Sequence, residues 1–510
     1  MICICFFFVV IFLNKYQTLT LMESDNKLKI QRIENLNNLK SLKVNPYPYT
    51  FNQTHHASEI LKKYEKLANE EKTKDKVSVA GRIMTLRMMG KAAFGHLQDD
   101  SGKIQFYIRE DNVGGKIYSI FKNFDLGDIA GVSGIVFRTK TGEVSVWVEN
   151  IELLSKSLLP LPEKFHGLKD TEIRYRQRYL DMVMNPEVKR VFEKRATIVR
   201  EMRSFLDSRG FIEVEIPVLQ PVYGGAAARP FITHVNSLNR DFYLQISPEL
   251  YLKRLIIGGM EKVYFLGKNF RNEDIDRTHN PEFSMMECYE AYVDYNTVMK
   301  LTEDMIEHIC KKVNGTTKIK YNNNIIDFKA PWTRITMFEA IKKFAKLDVE
   351  KMSDTELKSE IHKAKLEAGS RDEMINELFE HYAESKLIQP TFITDYPLTI
   401  CPLTKVHRKN PKLVERFEAF VNGTELANAY SELNDPIEQD VRFSMQEKNR
   451  EEGDEEAHPI DKDFVTAMEY GMPPCGGLGI GVDRLVIFLT EQESIRDVIP
   501  FPLMKTFEDK

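Results

Sequence analysis

The chain is short of cysteine pairs, of positive charge and of long apolar runs. Its six cysteines include Cys3 and Cys5 near the start, while Cys288, Cys310, Cys401 and Cys475 are scattered without CxxC spacing. That excludes a disulfide framework and a zinc site and reads as reduced, cytosol-like thiols. A formal net charge of -5 excludes a global attraction to nucleic acid, so any such contact must come from local basic surface. The one compositional anomaly is Ile2 to Leu13, ICICFFFVVIFL, which is too short to span a bilayer comfortably. Its length matches the apolar region of a signal peptide, yet no basic residue precedes it and no small-residue cleavage site follows. Residues 1–21 therefore read as an extension ahead of a start at Met22, in preference to an organelle or secretory leader. A cytoplasmic location without membrane attachment is expected.

What is present is ordinary in bulk: 42% hydrophobic and 29% charged residues describe a soluble globular protein, and 510 residues carry a prior of roughly three domains. Residues 22–76 are rich in Lys and Asn. Helical spacing over Ser58 to Leu67 puts Ile60, Leu61, Tyr64 and Leu67 on one face, and a solvated helical extension is expected. The character changes at Val77. Short β-like runs at Val77 to Ile83, Ala93 to Gln98, Ile104 to Ile108, Ile129 to Phe137 and Val144 to Leu153 are separated by Gly- or Asp-containing turns. Five such runs predict an OB-fold barrel over 77–157. Such barrels stack bases on aromatic side chains and satisfy base edges with polar ones, and Phe94, Gln105 and Arg87, with Glu143 after the Lys140-Thr141-Gly142 turn, are distributed for that task.

Residues 158–190 read as a linker that ends in the basic-aromatic cluster RYRQRY, Arg174 to Tyr179, expected to pair with acids at an interface in preference to facing RNA. Val191 to Ser208 has helical spacing ended by Gly210, and FIEVEIPVL, Phe211 to Leu219, alternates like a strand. Between Pro331 and Ile400 the pattern is helical and heavily charged, with Lys363 to Glu384 the clearest case; a helical insertion over about 335–390 is expected, with no chemistry assigned.

The chemistry concentrates in three stretches. In the first, Val263 to Leu266 and Met285 to Tyr292 read as paired strands around a polar loop, Asn272 to Asn280. Arg271 at the end of such a strand presents a planar fork for a phosphate or carboxylate; Glu273 and the backbone beside it suit an amino group, and Phe283 suits a ring face. In the second, alternating glycines from Gly476 to Gly481 permit close approach of a backbone or ligand, and a helix start follows with Arg484 in its first turns. In the third, Glu418, Glu425 and Glu432 recur at seven-residue intervals, but Asn422-Gly423 argues for two strands joined by a turn.

FRNE…HNPEF followed by GLGIGVDR resembles motifs two and three of the class II aminoacyl-tRNA synthetases. GGAAARPF (Gly224 to Phe231), SPELYLKR (Ser247 to Arg254), HNPEF (His279 to Phe283) and NAYSELNDP (Asn428 to Pro436) are similar to the lysyl-specific members of subclass IIb. The likeness runs from about Val77 to the C-terminus. It implies an α+β chain, an N-terminal OB-fold β-barrel followed by a class II catalytic domain over 191–510 whose mixed, mainly antiparallel sheet is flanked by helices. It also implies that the helix, strand and proline around 191–219 are motif one, which builds the homodimer interface in the family.

The site residues follow from the same resemblance. ATP would be held by Arg271, Asn272, Glu273, His279, Asn280, Phe283, Glu425, Leu426, Gly481 and Arg484. Arg271, on the α-phosphate and substrate carboxylate, and Arg484, on the far phosphates, form the catalytic pair. L-lysine would be held by Gly225, Glu249, Glu287, Tyr289, Asn428 and Glu432, because a cationic side chain leaving water needs opposite charge and acceptors. Mg²⁺ would sit on Glu418 and Glu425, since that ion takes one or two carboxylates plus phosphate oxygens. Arg87, Phe94, Gln105 and Glu143 would contact the anticodon of tRNA(Lys). The implied reaction makes lysyl-adenylate and pyrophosphate, then transfers lysine to a terminal ribose hydroxyl of the tRNA by positioning and charge stabilisation. Two alternatives stand beside it. An aspartyl- or asparaginyl-type enzyme is disfavoured by Glu249, and a non-catalytic RNA-binding or signalling scaffold is disfavoured by retention of both arginines and all three pocket acids.

Overall fold

The computed structural model describes residues 26–162, 168–451, 453 and 459–505, and the chain divides into two compact units, 1–167 and 168–510. The reading of residues 1–21 lies outside the described residues. In the first unit, β1 (Lys72–Met89), β2 (Ala92–Gln98), β3 (Lys103–Arg109), β4 (Ile129–Arg138) and β5 (Val144–Ser155) close a barrel in the order β1-β2-β3-β5-β4. Alternate positions point inward, so Val77, Val79, Phe106, Val132 and Val146 share one core. Two glycines make that packing possible. A Cβ at Gly95 would lie 2.4 Å from the Phe106 ring, and one at Gly134, beside a register shift in β4, would lie 2.0 Å from the Trp147 carbonyl oxygen.

The extension is not merely solvated. A helix over 26–41 anchors through Arg32, whose guanidinium donates to the Leu126 and Leu159 carbonyls at 2.8 and 2.9 Å. A second helix, Ala57–Lys63, is shorter than its apolar spacing predicts. Ile60 and Tyr64 join the barrel core, but Leu61 is exposed, because one residue further along turns about 100° around the helix. Leu67 falls in the turn beyond it.

The second unit is built on β6 (Ile212–Glu213), β7 (Leu219–Gln220), β8 (Ile232–Val235), β9 (Arg240–Leu244), β10 (Lys262–Phe270), β11 (Glu282–Ala291), β12 (Lys318–Tyr321), β13 (Asn324–Asp327), β14 (Thr333–Thr336), β15 (Thr391–Pro397), β16 (Leu413–Val421), β17 (Thr424–Ser431) and β18 (Cys475–Gly481). Eight of these form one sheet in the order β14-β15-β16-β17-β18-β11-β10-β6. It is antiparallel except at its two ends, where β14 runs parallel to β15 and β6 parallel to β10. The helices Pro186–Asp207 and Tyr295–Asn314 cover one face through Ile198, Met202, Met305 and Ile309, which meet Met286, Cys288, Leu478 and Ile480 of the sheet.

Two sequence expectations are corrected here. Phe211 to Leu219 is not one strand: only Ile212–Glu213 and Leu219–Gln220 pair, on different sheets, and Pro217 between them has no N–H to give a ladder. Lys363 to Glu384 is not one helix either. Asp354–Ala364 ends at Lys365 in the left-handed region, and Arg371–Tyr382 begins afresh on Ser370, whose side chain and Glu373 cap each other's backbone. Within 158–190, the helices Thr171–Arg176 and Arg178–Met184 belong to the second unit. Arg178 is buried, pairs with Asp181 at 2.9 Å and donates to the Arg496 carbonyl at 2.6 Å, and Arg174 pairs with the same aspartate, so the basic cluster is satisfied by acids.

Since the barrel has no room at Gly134, we expect Gly134→Ala to lower its stability by about 1–3 kcal/mol through overpacking. Urea unfolding followed by tryptophan fluorescence checks this, and an unchanged midpoint would refute the packing account.

Candidate active site

Strand alternation places the site on the sheet face opposite those two helices. Met286 and Cys288 go into the core, so Glu287 and Tyr289 point the other way. Register then aligns two rows across the sheet. Glu418 is opposite Asn428, Asn428 opposite Gly479, and Gly479 opposite Glu287. One step along, Arg416 is opposite Tyr430, Tyr430 opposite Gly477, and Gly477 opposite Tyr289. All eight residues line one cavity of about 380 Å³. The helix Glu249–Ile257 adds Glu249 from its first turn, where the helix dipole favours an acid.

One end of the cavity is acidic and dry. Glu287 accepts from the Ser247 hydroxyl at 2.9 Å and the Tyr289 hydroxyl at 3.1 Å, and Glu249 accepts from the Tyr430 hydroxyl at 2.6 Å. Burial, then the neighbouring Glu249 charge, pushes the Glu287 carboxyl up to about 8. Gly225, with φ +86°, borders this end; a Cβ there would meet Ser247 Oγ at 2.8 Å and Glu249 Cβ at 2.9 Å.

The other end carries arginines. Arg271 follows β10, its guanidinium 5.2 Å from the Phe283 ring centroid, and its Nε is buried with no hydrogen-bond partner among the described residues. Burial lowers its pKa, against the pull of Glu273, Glu425 and Glu287. Arg484 donates to the Glu425 carbonyl at 2.7 Å and to its carboxylate at 3.0 Å. Glu418 accepts from Arg416 at 2.5 Å and from the Tyr396 hydroxyl at 2.8 Å. Burial pushes it up to about 7, with Arg416 opposing and Glu425 adding to the rise. Two carboxylates within electrostatic reach of each other beside phosphate-type arginines suit a hard divalent ion that takes its other ligands from phosphate and water. Among the described residues no group of three or more His, Cys, Asp or Glu side chains is poised for a metal.

The cavity gathers nearly every residue expected for it. Glu273, His279, Asn280, Phe283, Leu426 and Gly481 line it alongside those already described. Two do not. Asn272 is exposed on the loop, its N–H donating to the Arg229 carbonyl at 2.8 Å, and Glu432 is buried beside Tyr289, its Oε1 2.1 Å from where a Cβ on Gly477 would stand. Sequence reasoning missed Ser247, Arg416, Tyr430 and Asp483. Asp483 holds the hairpin, accepting from Arg195 at 2.5 Å and from the Ser284 N–H at 2.6 Å. Period-two spacing from Glu418 to Arg416 and from Asn428 to Tyr430 was the available signal.

On the barrel, the Gln105 amide donates to Glu143 at 2.6 Å, Phe94 sits 4.4 Å from Tyr107, and Arg87 is the register partner of Phe94. His96, which lies 2.8 Å from Glu143, and Trp147, with Lys72 Nζ 3.3 Å over its ring, extend that surface beyond the residues singled out in sequence.

Residues 170–505 match the family profile described as tRNA synthetases class II (D, K and N), and residues 77–154 match an OB-fold nucleic acid binding domain. The chain is 52% identical over 488 residues to the lysine–tRNA ligase of Clostridium novyi (strain NT), covering 94% of this chain and 95% of that protein. It is 52% identical over 495 residues to the lysine–tRNA ligase of Moorella thermoacetica (strain ATCC 39073 / JCM 9320), covering 96% of this chain and all 100% of that protein.

The acidic end has a pH signature. Glu287 keeps its proton to about 8 in the fold against an ordinary 4.5, so its contribution to stability is full below 4.5 and is lost as pH rises through about 8. The thermal midpoint of the wild type relative to Glu287→Gln should therefore fall across that window and level off above it, as read by calorimetry over a pH series.

Proposed function

We infer that the chain, which belongs to the class II tRNA synthetase family serving aspartate, lysine and asparagine, is an ATP-dependent lysine–tRNA ligase. The observation that carries the choice of lysine is the pair of buried carboxyl groups, Glu249 and Glu287, at one end of a cavity whose other end is lined by Arg271 and Arg484. An acid side chain would add a further carboxylate beside Glu249 and Glu287 in a buried place, whereas an ammonium gains two carboxyl partners there.

The chain's residues divide the first step between them. Glu249, Glu287, Tyr289 and Glu432 surround the lysine, Gly225 leaves room for the α-amino end, and Asn428 completes it. Arg271 holds the substrate carboxylate against the α-phosphate, and its unpartnered Nε is free for that bond. Phe283 supports the adenine, Glu273 takes its amino group, and Arg484 with His279 and Asn280 takes the far phosphates. The carboxylate oxygen forms a bond to the α-phosphorus as the bond to the pyrophosphate oxygen breaks. Glu418 and Glu425 would hold Mg²⁺, which when bound neutralises phosphate charge. The second step moves the lysyl group to a terminal ribose hydroxyl of tRNA(Lys), whose anticodon is read on the barrel by Phe94, Gln105, Glu143 and Arg87. Every role is one of placement and charge, so no covalent enzyme intermediate is needed.

Two further readings belong with this one. A homodimer is supported by apolar side chains left outside around the motif-one segment, with Ile212 53% and Ile232 65% exposed. A cytoplasmic location is supported by four buried free thiols. No helix among the described residues is long and apolar enough to cross a membrane.

A panel of amino acids in ATP–pyrophosphate exchange tests the assignment, and exchange with aspartate or asparagine but not lysine would sink it. Arg271→Ala should lower lysine-dependent exchange by roughly 100- to 1000-fold while leaving far-ultraviolet circular dichroism unchanged. Ile212→Lys combined with Ile232→Lys should shift the protein from dimer to monomer in sedimentation velocity.

A further inference from the structure

Arg416 lines the cavity but has no task in the reaction as described so far. It stands on β16 two residues before Glu418, so the two side chains share a face of the sheet, and Glu418 is the register partner of Asn428 on β17. Each nitrogen of its guanidinium has an acceptor of its own. Nη2 donates to Glu418 Oε1 at 2.5 Å, Nε to Asn428 Oδ1 at 3.1 Å and Nη1 to Cys401 Sγ at 3.1 Å. The guanidinium carbon lies 4.7 Å from the Tyr396 ring centroid, and the Tyr396 hydroxyl donates to the other Glu418 oxygen at 2.8 Å. With Arg416 17% and Glu418 15% exposed, the pair is held largely away from water. One of these bonds fixes an amide. An Nε–H can only donate, so the Asn428 atom facing it has to be the oxygen, and the amide nitrogen is left as the donor for a ligand.

We propose that Arg416 is a positioning residue shared by the two substrates: it turns the Asn428 amide so that its nitrogen meets the carboxylate beside the α-amino group of the amino acid, and it braces Glu418 on the phosphate side. The proposal rests on the lysine reading above. Arg416 acts through these two residues and not on phosphate itself, because all three of its nitrogens are already engaged, whereas Arg271 keeps an Nε without a partner among the described residues. The task needs the fork. A lysine at this position would keep the charge, but its ammonium is a point donor on a flexible stem and cannot serve an amide, a carboxylate and a thiol in three fixed directions. Without the fork the Asn428 amide is free to turn its oxygen toward the substrate carboxylate, two acceptors then facing each other, and Glu418 loses one of its two donors.

The test is lysine binding by titration calorimetry, without ATP or Mg²⁺, to wild type, Arg416→Lys, Asn428→Ala and the double variant. Arg416→Lys should raise Kd for lysine by about tenfold or more. Because Arg416 acts through Asn428, adding Arg416→Lys to Asn428→Ala should change Kd by less than about threefold. The brace on Glu418 is read separately: in ATP–pyrophosphate exchange the Mg²⁺ concentration for half-maximal rate should rise by about threefold or more in Arg416→Lys and stay at the wild-type value in Asn428→Ala. An Arg416→Lys protein with wild-type Kd for lysine, effects that multiply in the double variant, or an unchanged Mg²⁺ dependence would overturn the proposal. If Arg416→Lys does not fold, Arg416→Gln replaces it throughout, and if neither folds the proposal falls, because the guanidinium would then be needed for the fold itself. Failure of the lysine reading is distinct, since it would show as wild-type protein that neither binds lysine nor performs exchange with it.

Discussion

The site depends on register across four strands, β16, β17, β18 and β11. Because side chains alternate with a period of two, a slip of one residue between β11 and β18 would send Glu287 and Tyr289 into the core and Met286 into the cavity. What pins the register is the difference between the two faces. Met286, Cys288, Leu478, Ile480, Ala427 and Ala429 form one continuous apolar surface under the helices, and no pairing shifted by one residue reproduces it. The opposite face can then carry carboxyl groups, an amide and an arginine in rows. The glycine strand between them provides the depth. A Cβ at Gly477 would lie 2.5 Å from the Tyr289 ring, and one at Gly479 would lie 2.9 Å from Met285 Cε. The floor of the cavity is therefore backbone, and neighbouring side chains lean across it.

That geometry explains which parts of the site sequence alone made legible. Signals that act locally came through. Asn422-Gly423 adopts φ 50° and 68°, as a tight turn between β16 and β17 requires, and the glycine run, the polar loop at 272–280 and the five barrel strands each read correctly from spacing and turn chemistry. What depended on distant partners did not. Phe211 to Leu219 alternates as a strand does, but pairing along its length needs neighbours that the second unit supplies only at Ile212–Glu213 and Leu219–Gln220. The break after Ala364 turns on Lys365 adopting φ 59°, which lysine does not advertise. Lys253 looked like one more charge in SPELYLKR, and Glu432 looked like the third member of an evenly spaced series. Only the fold shows them meeting with both side chains at 0% exposure.

The two ends of the cavity meet the cost of burying charge differently. At the acidic end Glu249 and Glu287 are supplied with donors by the chain itself, from Ser247, Tyr289, Tyr430 and Lys253, while Glu432 has its ion pair with Lys253 but no hydrogen bond among the described residues. At the phosphate end compensation is incomplete. Arg484 is held by Glu425, and Glu418 by Arg416 and Tyr396, but Arg271 keeps a buried Nε without a partner.

This asymmetry has a physical direction. An unpaired buried donor costs on the order of 1–3 kcal/mol, more when it is charged, and that cost is removed when an anionic oxygen arrives. Arg271 lines the arginine end with Arg484, so an anion bound there would give its buried Nε the partner it lacks among the described residues. Arg484 is different: already paired with Glu425, it would gain less from an anionic ligand. Glu249 and Glu287 are thus paired within the chain itself, whereas Arg271 keeps a buried donor without a partner among the described residues. Under the proposed reaction, free energy released when an anion pairs with Arg271 would be available next to the reacting atoms, where an enzyme with no protein nucleophile has to apply it.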